Sequence, residues 1–103
     1  MNKYEYCINI NVPIGIRKGT IVLYEHNGRL TGVLDLFENS EPLSGRVYAN
    51  GTCSIAGKIV TLTKTIRYQA IGQMCSDWIK LNVYGKKEKF FLEGKRVRHE
   101  KVL

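Results

Sequence analysis

Residues 66–72 read I-R-Y-Q-A-I-G. In an extended chain side chains alternate with a period of two, so Ile66, Tyr68, Ala70 and Gly72 share one face and Arg67, Gln69 and Ile71 the other. An apolar face backed by a more polar one marks a strand with one side in a core and the other toward water. The alternation recurs along the chain. Tyr4, Tyr6, Ile8, Ile10 and Val12 are interleaved with Glu5, Cys7, Asn9 and Asn11. Leu30, Gly32, Leu34 and Leu36 alternate with Arg29, Thr31, Val33 and Asp35, and Ile79, Leu81 and Val83 with Trp78, Lys80, Asn82 and Tyr84. No window sets apolar residues at helical spacing between a capping residue and a glycine stop, so no helix is predicted.

The punctuation agrees with strands. Asn27-Gly28 and Asn50-Gly51 favour the left-handed backbone of type I′ hairpin turns. Gly85-Lys86-Lys87 predicts another reversal, and E-N-S-E-P (38–42) a looser one. Pro13 ends the first strand, since it cannot donate to a ladder. About eight strands follow, near 3–12, 17–26, 29–37, 43–49, 52–62, 65–73, 77–84 and 88–95. The fold class is therefore all-β: an antiparallel meander closing into a small up-and-down barrel, with a β-sandwich as the alternative. In architecture this resembles the short barrels of the lipocalin and avidin kind. No residue motif of either group is present, so the resemblance carries no activity. The chain of 103 residues is read as one barrel domain over 1–95 with a basic tail over 96–103.

Five apolar-x-Gly figures sit inside these strands: Leu30-x-Gly32, Leu43-x-Gly45, Ile55-x-Gly57, Ala70-x-Gly72 and Leu92-x-Gly94. Each glycine shares the inward face with the apolar residue before it. Glycine weakens a strand unless it serves a purpose. It lets a coiled strand bend at a barrel corner. It also leaves room, for a bulky side chain such as Tyr68, Phe90 or Leu34, or for a ligand. Strands this short leave little volume once the core is placed, which favours bending over a large cavity.

The net charge is +7, compatible with a polyanionic partner and with plain solubility. Seven of the 16 Lys and Arg residues fall at the C-terminal end: Lys86, Lys87, Lys89, Lys95, Arg96, Arg98 and Lys101. Trp78, Tyr84 and Phe91 offer stacking surfaces nearby. Three cysteines, an odd number with no C-x-x-C pair, point to a reducing cytoplasm rather than a disulfide framework. Polar residues interrupt the N-terminal stretch, so no signal peptide is expected. No run reaches the length of a membrane span.

Chemistry-bearing constellations are sparse. No serine lies in G-x-S-x-G, and His26 and His99 have no neighbour that makes either a base for a nucleophile. Cys7, Cys53, Cys75, His26 and His99 are too scattered for a zinc pattern, and the glycines build no phosphate loop. No catalytic residue, metal or cofactor is expected. The first functional expectation is a cytoplasmic, non-catalytic binding module. It would hold a small apolar or amphipathic ligand at the barrel mouth, lined by Leu34, Leu36, Val47, Tyr68, Leu81 and Phe90. The second is polyanion or nucleic-acid binding through the basic C-terminal segment. The third is protein interaction or self-association, through a barrel face or an exposed edge strand such as the first.

Overall fold

The structure is a computed structural model that describes residues 1–13 and 15–97. Eight strands follow one another: β1 (Asn2–Val12), β2 (Gly15–His26), β3 (Arg29–Leu36), β4 (Asn39–Val47), β5 (Thr52–Val60), β6 (Thr65–Met74), β7 (Trp78–Tyr84) and β8 (Lys89–Arg96). Each pairs antiparallel with the next, and β8 returns to β1, with Tyr6 opposite Arg96 and Ile10 opposite Leu92. The sheet is a closed barrel, which sets aside the sandwich alternative. Closure also corrects the expectation of an exposed first strand: β1 is hydrogen-bonded on both sides, and a closed barrel has no edge strand to offer a partner. No helix among the described residues is long and apolar enough to cross a membrane.

Alternation puts the core where the sequence pattern predicts it. Along β7 exposed and buried residues alternate without a break, Ile79, Leu81 and Val83 pointing inward. The interior is filled by aliphatic side chains from all eight strands, with Tyr6, Tyr68 and Phe90. The void they leave is only about 10 Å³, walled by residues such as Ile21, Leu34, Ile55 and Leu81. That is about one water, which an apolar lining would not hold.

The inward glycines act as bends. A Cβ at Gly45 would lie 2.8 Å from the Ile55 Cα and nearer still to the Ser54 carbonyl oxygen on the adjacent strand. Backbone, not ligand or side chain, occupies the missing position. Gly57 differs: the Tyr68 ring opposite it fills the space, its hydroxyl 2.9 Å from where a Cβ would be.

Two turns depart from expectation. Asn27-Gly28 has left-handed φ values at both residues (51° and 82°), as type I′ requires. At Asn50-Gly51 only Gly51 is left-handed (φ 88°). The chain there makes a longer reversal, closed by Gly51 N–H to Tyr48 O at 2.9 Å and Tyr48 N–H to Thr52 O at 2.8 Å. Conversely, the loose turn expected at 38–42 is a tight one at Phe37-Glu38, both left-handed (φ 54° and 64°), with β4 starting at Asn39. Asn39 secures it, its Nδ2 donating to the carbonyls of Phe37 (3.0 Å) and Val60 (3.1 Å). Pro42 is tolerated in β4 because β4–β5 pairing begins only at Leu43. Left-handed φ costs an L-residue more than glycine, offset in part by glycine's freedom when unfolded. Glu38→Gly is therefore expected to raise stability by about 0.5–1 kcal/mol, read as a higher urea midpoint at unchanged slope.

Candidate ligand site at the open end of the barrel

The two ends of the barrel differ. One carries the chain start, the 27–28 and 48–51 reversals, the 75–77 turn and the end of β8. It is plugged. Tyr6 is fully buried and its hydroxyl donates to the Cys75 carbonyl at 2.5 Å. Tyr4 lies nearly parallel to Tyr6, ring centroids 6.4 Å apart, and the Arg96 guanidinium covers Tyr4 at 5.0 Å. Arg96 also donates to the carbonyls of Ser76 (3.2 Å) and Lys3 (3.0 Å). Burial holds the Tyr6 phenol above its ordinary pKa.

The other end is open. It is framed by Val12-Pro13, the Phe37-Glu38 turn, and the reversals at 61–64 and 85–88, which surround a depression of about 760 Å³. That volume lies in the range of small-molecule sites. Its floor is the top of the core: Ile10, Ile59, Ile66 and Phe90. Val12 and Phe37 form walls, and the fully exposed Leu62 stands on the rim. The Thr61 side chain shapes the Leu62 reversal by accepting from Lys64 N–H at 3.1 Å and donating to Lys64 O at 3.0 Å.

The polar lining residues are Arg17, Glu38, Thr61, Thr63, Lys64 and Glu88. Lys64 Nζ is 2.9 Å from Glu88, whose carboxylate also accepts from Lys87 N–H at 3.1 Å. The Lys64 hydrogen bond, with that from Lys87, holds Glu88 below the usual carboxylate range. Arg17 donates to the Ile16 carbonyl at 3.1 Å. Among the described residues it has no carboxylate at ion-pair distance, and the Glu38 carboxylate lines the same depression, so Arg17, Glu38 and the Lys64–Glu88 pair together leave the rim without net charge.

Comparison with protein-family models, curated proteins and solved structures finds no match to this chain.

The six residues expected to line a mouth do not come together. Phe90 belongs to the open-end floor. Leu34, Tyr68 and Leu81 line the small internal void. Leu36 is a buried core residue behind the Phe37-Glu38 turn, and Val47 sits at the plugged end beside the 48–51 reversal. The Tyr68 hydroxyl points into the wall near Gly57, and burial pushes its pKa up to about 12. The basic residues also divide. Lys86 and Lys87 lie in the 85–88 reversal at the open end, Lys89 and Lys95 on the outside of β8, and Arg96 in the plug. Strand β8 thus runs through Arg96, one residue beyond the expected boundary. Arg98 and Lys101 lie outside the described residues.

What sequence reasoning passed over is the open-end set: Val12, Pro13, Arg17, Phe37, Ile59, Leu62 and Ile66. A signal was present. Turns favour Gly, Asn, Asp and Ser, yet Phe37 and Leu62 occupy reversals of this chain. Alternate reversals of a meander meet at one end, so these residues had to converge.

Proposed function

We propose that this protein is a non-catalytic binding module that takes a small amphipathic ligand into its open end. The apolar part lies against Val12, Phe37, Leu62 and the accessible edges of Ile66 and Phe90, and an acidic head faces Arg17. One observation carries the reading: the barrel interior is full, whereas its open end forms a depression of about 760 Å³ with largely apolar walls and the Arg17 guanidinium at its side. A concavity of this size, walled mainly by apolar side chains with polar groups at its rim, suits a small molecule. The free thiols of Cys7, Cys53 and Cys75 support a reducing compartment, and the cytoplasm is proposed as the site of action.

Dodecanoate and dodecanol, titrated while amide chemical shifts are followed, test this. Both are expected to move resonances of residues 59–66 and 88–90, with dodecanoate the tighter. Arg17→Gln is expected to weaken dodecanoate about ten-fold, the loss of one charge-assisted contact, while leaving dodecanol unchanged. No shift at the open end with either compound would overturn the reading.

A further inference from the structure

We infer that the outer face of β6–β8 binds single-stranded nucleic acid, at a surface separate from the open end. The barrel register puts Trp78 opposite Lys95, Lys80 opposite Glu93, Asn82 opposite Phe91, and Tyr84 opposite Lys89. On the other side, Ile71 faces Asn82 and Gln69 faces Tyr84. All these side chains point outward. Trp78, Tyr84 and Phe91 are 36%, 42% and 38% exposed, large aromatic areas to leave in water on three rings of one face.

Two of the rings have a lysine at hand: Lys80 Nζ is 5.4 Å from the Trp78 ring centroid and Lys89 Nζ 5.7 Å from that of Tyr84. With Lys95 they give three cations against one carboxylate in these register positions, Glu93. Trp78 and Tyr84 are six positions apart on one strand, about 20 Å, so the platform spans several nucleotides. Asn82 lies among the rings and Gln69 flanks Tyr84 from β6, both neutral donors and acceptors.

The combination selects the partner. An acidic protein would use the lysines without needing flat rings, and a neutral sugar would use the rings without the lysines. Duplex DNA hides its base faces. A single strand presents both phosphates and stackable bases, and rings interleaved with cations match it. The surface differs from a continuous basic C-terminal ribbon: it uses Lys80, which lies outside that segment, and does not use Arg96, which is committed to Tyr4.

A short labelled oligothymidylate and a duplex of matched length, followed by anisotropy and Trp78 fluorescence across a salt series, decide the matter. Expected are preference for the single strand, quenching of Trp78, and a log–log salt slope near −2, about 0.7 for each of the three lysines. Tyr84→Ala and Phe91→Ala should each weaken binding about ten-fold. Lys89→Gln should reduce the steepness of the slope by about 0.7. Both aromatic positions are exposed, and unchanged melting would verify folding of the variants. The inference is overturned by absence of binding at low salt. It is equally overturned if the aromatic variants bind as the parent does, or if duplex, heparin or an anionic vesicle binds as tightly as the single strand.

Discussion

Gly72→Ala is expected to destabilise the barrel by about 2–3 kcal/mol, and Gly72→Val to prevent folding at ordinary temperature. Gly72 lies on the inward face of β6, between Cys53 of β5 and Leu81 of β7. A Cβ there would be 2.9 Å from the Leu81 Cα and the Lys80 carbonyl carbon, and would overlap the Lys80 carbonyl oxygen. No rotamer relieves this, because the obstacle is backbone. The β6–β7 ladder would have to open or flatten, and neither suits a sheet that must close on itself. Urea unfolding checks it. A loss below about 1 kcal/mol at unchanged slope would mean that the wall yields and that the glycine is not a corner. The same contact recurs at Gly32 against Val22 and at Gly45 against Ser54, so bending is shared among several strands.

Gly72 also shows what was readable from one sequence. Its face follows from Ile66, Tyr68 and Ala70 alone, and so do most strand positions, because alternation is local. The Phe37-Glu38 turn was not readable in this way. Its residues disfavour left-handed φ, and what secures the turn is Asn39 reaching Val60, a contact across the barrel wall. The open-end site was half-legible. Phe90 carries the inward signature of any core residue, and only closure decides which inward residues end at a mouth. Closure joins Tyr6 to Arg96, a pairing between opposite ends of the chain that local patterning cannot specify. Val47 and Phe90 looked equivalent for that reason, although they belong to opposite ends.

Tyr6→Ala is expected to cost about 3–5 kcal/mol, and Tyr6→Phe about 1–2 kcal/mol. The alanine removes a fully buried ring that closes one end of the barrel and supports Tyr4. The phenylalanine keeps the ring and loses only the hydrogen bond to the Cys75 carbonyl. The phenol adds a pH signature. Burial raises its folded pKa above the ordinary value of 10, and Tyr68 is pushed to about 12 for the same reason. Below pH 10 both phenols keep their protons, folded or unfolded, although the buried Cys53 thiol, pushed up to about 11, already lowers stability as pH rises above its ordinary value near 9. Above pH 10 the unfolded chain releases phenol protons that the folded chain retains, so stability falls as pH rises. The two phenols give a loss of up to about 2.7 kcal/mol per pH unit between the unfolded value and the Tyr68 value, and Cys53 adds about 1.4 kcal/mol per pH unit until its own folded value of about 11. Tyr6→Phe is expected to be less stable than the parent at pH 8 yet to lose stability less steeply from pH 10 to 12, by about 1.4 kcal/mol per pH unit. Urea midpoints at the two pH values measure this. Equal slopes in parent and variant would show that the Tyr6 hydroxyl reaches solvent and that this end of the barrel is not sealed.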